Sequence, residues 1–290
     1  MRRHVPKMAA KEENDLSTME LTKEKGEQAF QQVLSTAIKL PGVRIDRETF
    51  LRRELSKYCP ADIVEAALMK NPAQAQIDQK IIDQIANSCI SNETTRVTAL
   101  STAAGLPGGL AMVGTVPADL IQYFGHILRI LQKLAYLYGW QNLLDGNAGD
   151  LDDATTNLLT LFIGVMFGAQ GAGKAIAKVS QTAAVSLERR LLNTALTKGT
   201  IYPLVKKVMQ ALGIRITTKT FSTTVPKAIP IVGGILSGGI TLVTFLPMSK
   251  KLQNYLKTLP MSSTDYYRNL EKNKPQASSQ PIDVDFQEEL

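Results

Sequence analysis

The sequence predicts an all-α protein, a helical bundle that includes Gly- and Pro-rich apolar helical hairpins. Apolar residues recur at spacings of three and four residues through most of the chain, as they do on one face of a helix. The 20 glycines and 13 prolines are concentrated in the most apolar stretches. No segment outside residues 214–224 has the strand pattern of alternating polar and apolar residues. A chain of 290 residues is long enough to build its own core.

The first part of the chain predicts a disordered leader followed by four helices of the soluble type. Residues 1–20 are polar and have no periodicity, which is typical of disorder. Residues 21–95 carry apolar stripes with charged residues opposite them. The apolar positions of the four helices are Leu21, Phe30, Val33, Leu34, Ala37 and Ile38; Phe50, Leu51 and Leu55; Ile63, Val64, Ala67 and Leu68; and Ile77, Ile81, Ile82, Ile85 and Cys89.

Residues 96–260 predict apolar and basic helices that complete one domain with residues 21–95. A long helix is expected between Asp119, a residue type that caps helix N-termini, and Gly139, a residue type that ends helices. A basic helix is expected from Lys174 to about residue 196, and another from residue 204 until Gly213 stops it. Residues 214–224 are read as a short helix or an extended linker, and residues 261–290 as a disordered tail.

Three uncharged runs, residues 97–118, 154–173 and 228–249, have about the length that a helix needs to cross a bilayer. Gly164 and Gly168 have the GxxxG spacing that lets helices approach closely, as do Gly234 and Gly238. Prolines interrupt the first and third runs, which weakens a regular spanning helix. We therefore favour buried or interfacial hairpins, with spanning by one or two runs as the alternative.

Positive charge is concentrated in residues 174–227. This segment has ten Lys and Arg residues against one acid, Glu188, whereas the whole chain has a net charge of +7. Basic segments attract phosphate, and with only two aromatics, Tyr202 and Phe221, a base-stacking surface for nucleic acid is not expected. An anionic membrane surface is the expected partner, and a solvated helix face is the alternative. The candidate lipid-binding residues are Arg189, Arg190, Lys198, Lys206, Lys207, Arg215, Lys219 and Lys227.

Few residues point to a chemical reaction. The chain has two histidines, and His126 is the one in a predicted helix, so His126, Asp119 and Tyr123 are the weak catalytic candidates. Residues 168–175 match the glycine and lysine positions of a phosphate-binding loop, but Ala175 replaces the required Ser or Thr. Neither the cysteines nor the histidines have metal-ligand spacing. We expect no cofactor and no metal.

Two separated motifs resemble the EcsC-like family of bacterial proteins over roughly residues 85–246. The first combines a Gly-Leu-Pro-Gly-Gly segment, a Pro-Ala-Asp segment and a helix ending in Tyr-Gly, and the second is Gly- and Pro-rich. The resemblance implies a helical fold, a bacterial source and a link to envelope or transport functions, with a membrane transporter or another protein as partner. The motif residues, read as packing positions, are Gly105, Pro107, Gly108, Gly109, Pro117, Asp119, Tyr138, Gly139, Pro230, Gly233, Gly234 and Gly238.

Together these patterns predict a non-enzymatic, membrane-associated helical protein at the cytoplasmic face of a membrane, peripheral or partly inserted. One alternative is a cytoplasmic scaffold whose first four helices bind a partner. Another is a hydrolase-type enzyme that uses His126 or Asp119.

Overall fold

The computed structural model describes residues 24–104, 112–113, 116–144, 151–185, 194, 196–199, 201–220 and 238–273, and within them it confirms the all-α prediction. A pair of two-residue antiparallel strands, β1 (Met112–Val113) and β2 (Val116–Pro117), precedes the fifth helix. The helices are α1 (24–37), α2 (Arg47–Leu55), α3 (Ala61–Met69), α4 (Gln79–Ala104), α5 (Ala118–Leu137), α6 (Asp153–Phe167), α7 (Ala172–Val185), α8 (Tyr202–Thr220), α9 (Gly238–Leu256) and α10 (Thr264–Lys272), with a 3-10 turn at Pro260–Ser262.

A buried arginine joins α2, α3 and the end of α5. Arg47 is the first residue of α2, and its guanidinium donates to the carbonyl oxygens of Ala67, Leu68 and Lys70, at 3.3, 2.8 and 3.1 Å. A fourth hydrogen bond reaches the carbonyl of Trp140 at 3.2 Å. Because the last carbonyls of a helix lack partners within the helix, Arg47 supplies α3 with the donors that its C-terminal end needs.

We expect Arg47→Lys to lower the free energy of unfolding by about 2 kcal/mol, because an ammonium group cannot reproduce the planar fork that serves four carbonyls. Urea unfolding of the two proteins measures the difference. Arg53→Lys is the matched control, since Arg53 is exposed and, in the part of the chain that the structure describes, forms a single ion pair, with the neighbouring Glu54. Its expected change is below about 0.5 kcal/mol. Equal changes in the two variants would contradict the role assigned to Arg47.

Helix α4 is longer than the sequence predicts. It continues without a break to Ala104, so the boundary predicted at residue 96, between soluble-type and apolar helices, falls inside one helix. Residues 97–104 of the first uncharged run belong to this helix. Gly and Pro are absent from α4, and Val97 is buried, so nothing interrupts the helix where its charge ends. Gly105, Pro107, Gly108 and Gly109 lie outside the described residues.

Helix α5 runs through the centre of the fold and packs against α2, α4, α6 and α9. Most of its residues are buried, including Tyr123, Phe124 and Tyr136. The predicted end is confirmed, because the helix stops at Leu137 and Gly139 follows with a left-handed φ of 99°. The predicted N-cap is wrong, because α5 begins at Ala118 and Asp119 lies inside its first turn.

The second uncharged run forms a core helix. Asp152 caps α6 by accepting a hydrogen bond from the backbone N–H of Thr155, and Gly168, with φ of 69°, ends the helix. Residues 159–166 are all buried by protein, as the interpretation of this run as a buried hairpin expects. A Cβ on Gly164 would lie 2.5 Å from Cγ1 of Val208 on α8 and 2.9 Å from the Cβ of Ala172 on α7, so this glycine lets α6 lie close to both helices. The other glycine of the GxxxG pair, Gly168, faces Lys251 instead. In the parts of the chain that are described, no helix combines the length and hydropathy of a bilayer span.

The predicted break at Gly213 is wrong, because α8 continues from Tyr202 to Thr220. Gly213 lies instead where α8 crosses α1. A Cβ on Gly26 would lie 2.8 Å from the carbonyl carbon of Gly213, so neither glycine can carry a side chain without separating the two helices. The β-branched residues 214–220 are therefore helical, which agrees with the short-helix reading of this segment.

The disordered tail predicted from residue 261 is wrong for residues 261–273. Ser263 caps α10 by accepting a hydrogen bond from the backbone N–H of Tyr266, and Tyr267 is buried. The Tyr267 hydroxyl accepts a hydrogen bond of 3.0 Å from the side-chain amide of Asn71. One buried aromatic residue and one cap thus fix a segment whose composition is otherwise that of a tail.

Candidate functional site

A buried carboxylate from α4 meets three basic side chains from α5. Glu93 is 0% exposed, and its Oε1 accepts from His126 Nδ1 at 2.8 Å and from Arg129 Nε at 3.0 Å, while Oε2 accepts from Lys133 Nζ at 2.9 Å. His126, Arg129 and Lys133 are three and four residues apart, so they lie on one face of α5. We call these four residues the Glu93 cluster. The bond to Glu93 places the neutral imidazole proton on Nδ1 and leaves Nε2 as an acceptor.

The cluster keeps Glu93 ionised. Burial raises the pKa of its carboxyl, but the hydrogen bond from His126 and the charges and hydrogen bonds of Lys133 and Arg129 outweigh burial and bring the pKa down to about 2. Glu93 is thus the anion around which the polar stripe of α5 is organised. With Lys133 largely buried, each charge depends on the others for its stability.

An open cleft of about 420 Å³ adjoins the cluster, and we call it the cationic cleft. Its walls are α4, α5 and the turn that follows α1. Gly125 lets that turn approach α5, because a Cβ there would lie 3.2 Å from Leu40 and 3.3 Å from Val43. The lining residues are Leu40, Pro41, Val43, Arg96, Ala99, Gln122, Gly125, His126 and Arg129.

The polar lining of the cationic cleft has hydrogen-bonding capacity to spare. Arg129 uses Nε for Glu93 and Nη1 for the carbonyl of Gly42, and its Nη2 has no partner among the described residues. His126 binds Glu93 through Nδ1 alone. Arg96 is exposed and has no ion pair with any residue in the described ranges. The cleft therefore presents two guanidinium groups and one imidazole to solvent.

Net charge around the cleft is positive. Arg96, Arg129 and Lys133 carry three positive charges against the one negative charge of Glu93, which leaves +2 when His126 is not counted. An arrangement of this kind favours an anionic ligand, and paired guanidinium groups suit carboxylate or phosphate oxygens.

The three predicted catalytic residues do not meet. Tyr123 is buried against α9, with its ring 6.1 Å from that of Phe245 and its hydroxyl 3.5 Å from that of Thr244. His126 instead faces α4, and neither Ser nor Cys is hydrogen-bonded to it among the described residues. Asp119 is half-buried two turns before His126 on α5. The arrangement does not assemble the nucleophile and base of a hydrolase from these residues.

The described cysteines are free thiols of low reactivity. Cys89 lies one turn before Glu93 and is buried, and burial raises its pKa to about 11. Cys59 is half-buried, and burial raises its pKa as well. The predicted place of Cys89 among the buried apolar positions of the fourth helix is confirmed. Within the described ranges, His, Cys, Asp and Glu side chains form no group that could hold a metal ion.

A second surface carries the described part of the basic segment. Lys174 and Lys178 on α7 and Lys206 and Lys207 on α8 are exposed, and we call them the lysine face. The two helices contact each other and both rest on α6. Neither helix contains an acidic residue, and Tyr202, 43% exposed, lies one turn before Lys206.

The other predicted lipid-binding residues are described only in part. Lys198 is exposed. Arg215 and Lys219 belong to α8, with side chains that are not described, and Arg189, Arg190 and Lys227 lie outside the described residues.

The predicted packing residues that the structure describes lie at junctions between elements. Tyr138 donates a hydrogen bond of 2.8 Å to Asp83 and accepts one of 3.2 Å from Gln253, and so joins α4, the end of α5 and α9. Pro117 ends β2, and Gly238 begins α9. Pro230, Gly233 and Gly234 lie outside the described residues.

Glu93 was not among the predicted site residues, although the sequence contains a signal for it. His126, Arg129 and Lys133 form a basic stripe on a helix that is otherwise strongly apolar. A buried basic stripe requires a carboxylate from another element, because an unpaired buried charge is very unfavourable. The sequence does not say which acid fulfils this requirement, since the pairing joins residues 33 to 40 positions apart.

Comparison of the chain with models of protein families, with curated proteins and with solved structures finds no match.

Proposed function

We propose that the protein is a non-enzymatic peripheral membrane protein that binds anionic lipid through the lysine face. The observation that carries the proposal is the set of four exposed lysines on two neighbouring helices that contain no acid. A lysine close to an anionic bilayer contributes about 1 kcal/mol to binding. Four lysines that act together give about 4 kcal/mol, enough for reversible attachment that weakens with salt.

The burial of α6 supports binding at the membrane surface over insertion of the apolar helices. The apolar sides of α7 and α8, including Ile176, Val179, Val205 and Val208, are buried in the core, so they are not free to enter lipid. Tyr202 adds an exposed aromatic ring beside the lysines, a residue type that favours the membrane interface. The resemblance to EcsC-like proteins supports the same direction, a bacterial protein with an envelope or transport role at the cytoplasmic face.

We expect the double variant Lys206→Gln, Lys207→Gln to bind anionic vesicles roughly 30-fold more weakly than the wild type, because two contributions of about 1 kcal/mol are lost. Vesicle co-sedimentation with phosphatidylcholine containing phosphatidylglycerol, at low salt, measures the partition coefficient. The matched control is Lys70→Gln, Lys80→Gln, which makes the same change in net charge at two exposed lysines outside the lysine face.

The control variant should bind as the wild type does, and vesicles of pure phosphatidylcholine should bind neither. Equal losses in the two double variants would mean that total charge, not the lysine face, determines binding. Failure of the wild type to bind anionic vesicles at low salt would end the proposal.

A further inference from the structure

We propose that the cationic cleft is a binding site for a phosphate group, with Arg96, Arg129 and His126 as its ligands. This inference does not rest on the membrane proposal, because it concerns different residues on α4 and α5. The cleft has the size of a small-molecule site, with about 420 Å³ of space.

The fixed part of the site is Arg129. Its guanidinium is held by Glu93 on α4 and by the carbonyl of Gly42, so its orientation is set before any ligand arrives. Nη2 has no partner among the described residues and belongs to a residue that lines the cleft. A donor that is positioned in advance loses little conformational entropy when it binds an anion.

The movable part of the site is Arg96. It lies three residues after Glu93 on α4, so it is on the same side of the helix as the carboxylate, and it is exposed. A phosphate oxygen bound to Arg129 therefore meets a second guanidinium from the opposite wall. Two guanidinium groups flanking one ligand provide the geometry that favours phosphate oxygens.

Charge favours phosphate over a singly charged group. Lys133 neutralises Glu93 within the cluster, which leaves Arg96 and Arg129 to face the ligand with two positive charges. A phosphate monoester carries close to two negative charges at neutral pH. His126 also lines the cleft, and its Nε2 is not used by Glu93, so this nitrogen can form a third hydrogen bond to the phosphate group.

The apolar wall of the cleft favours ligands whose phosphate group is attached to an apolar group. Leu40, Pro41 and Val43 on the turn after α1, with Ala99 opposite, line the cleft beside its basic residues. The expected ligand is therefore a phosphate monoester whose attached group is partly apolar. A free phosphorylated metabolite and a lipid headgroup both have this chemistry.

The test is isothermal titration calorimetry of the full chain with phenyl phosphate, a monoester with a small apolar group. We expect Arg96→Gln to weaken binding at least tenfold, and Ala99→Glu, which adds a negative charge at an exposed position of the cleft, to abolish it. Neither residue belongs to the buried Glu93 cluster, so both variants should keep the fold, which circular dichroism verifies. Arg53→Gln is the matched control, an exposed arginine outside the cleft, and should bind as the wild type does.

The proposal is overturned if phenyl phosphate does not bind, or if it binds equally well to the wild type, Arg96→Gln and Ala99→Glu. It is also overturned if phenylacetate, a singly charged carboxylate, binds as tightly as phenyl phosphate, because the site would then not select a dianion. The double variant Lys206→Gln, Lys207→Gln should leave phenyl phosphate binding unchanged, which separates failure of this proposal from failure of the membrane proposal.

The source of the phosphate is distinguished by a second titration. Dihexanoyl phosphatidic acid is titrated below its critical micelle concentration, and its affinity is compared with that of phenyl phosphate. Inorganic phosphate, which has no apolar group, and dihexanoyl phosphatidylcholine, which has a bulky headgroup, are the reference ligands. Tighter binding of phosphatidic acid than of phenyl phosphate assigns the cleft to a lipid headgroup. The reverse order assigns it to a soluble phosphate ester.

Discussion

Replacing Glu93 by Gln is expected to lower the free energy of unfolding by about 3 to 5 kcal/mol at pH 7, the usual effect of removing one partner of a buried ion pair. The variant keeps the shape of the side chain but leaves the largely buried Lys133 without its counter-charge. It also replaces one of the two oxygens that serve His126, Arg129 and Lys133 with an amide NH2 group, which cannot accept their hydrogen bonds. Urea unfolding followed by circular dichroism measures the change. Most single substitutions have smaller effects.

Glu65→Gln is the matched control for this substitution. Glu65 also binds an arginine, Arg52, but the two side chains are 52% and 45% exposed, and an exposed pair contributes less than about 1 kcal/mol. If the two glutamine variants lost equal stability, the Glu93 cluster would not be the stabilising feature described here.

The effect of Glu93→Gln should also depend on pH. Because the pKa of Glu93 is lowered to about 2 in the folded protein, its contribution to stability is complete above the pKa of the unfolded chain, about 4.3. It is lost as the pH falls through that value towards 2. The stability difference between wild type and Glu93→Gln should therefore narrow between pH 5 and pH 3. A constant difference over this range would contradict the assignment.

Gly139→Ala is expected to lower the free energy of unfolding by about 3 kcal/mol. Gly139 has φ of 99°, which costs a residue with a Cβ about 1 to 2 kcal/mol. The added methyl group would also overlap the carbonyl oxygen of Met261 in the 3-10 turn before α10, and overpacking of this kind costs about 1 to 3 kcal/mol. Thermal unfolding measures the loss, and limited proteolysis should show earlier cleavage in residues 260–273.

Gly171→Ala separates the two causes. Gly171 has a similar φ of 87°, but its Cβ would lie 3.4 Å from Leu204, an ordinary contact. Backbone strain alone therefore predicts a loss of about 1 kcal/mol for this variant. A loss as large as that of Gly139→Ala would mean that the contact with Met261 has no effect.

Helix periodicity predicted much of the fold, because most of the predicted apolar positions of α1 to α5 are buried. Ile63, Leu68 and Ile81 are only partly buried, and Leu21 lies outside the described residues. Phe30, Leu51, Ile85 and Ile127 are buried in one core. The composition of α6 did not predict whether protein or lipid surrounds this helix, because uncharged residues are typical of both a protein interior and a bilayer. The difference lies in α7 and α8, which cover α6 in the structure, and a sequence does not state which helices become neighbours.

The structural role of individual glycines was the hardest feature to predict from the sequence alone. Gly139 ends a helix as expected, whereas Gly213 lies inside one and allows α1 to cross α8. Both roles follow from the missing Cβ, but one uses its conformational freedom and the other its small size. The candidate site was found only in part for a similar reason. His126 was predicted from the sequence, but neither Glu93 nor Arg96 was. These two residues are on α4, and residue spacing within one helix does not predict which other helix packs against it.

The close approach of α6 to α7 at Gly164 has a mechanical consequence for the lysine face. Lys174, Lys178, Lys206 and Lys207 stand on helices that are already locked to a common support. The proposed attachment to lipid through these residues would require no helix to form and none to reorient, so only the flexible lysine stems would lose conformational freedom. The arrangement of the charges that would contact a membrane in the proposed function is therefore fixed when the protein folds.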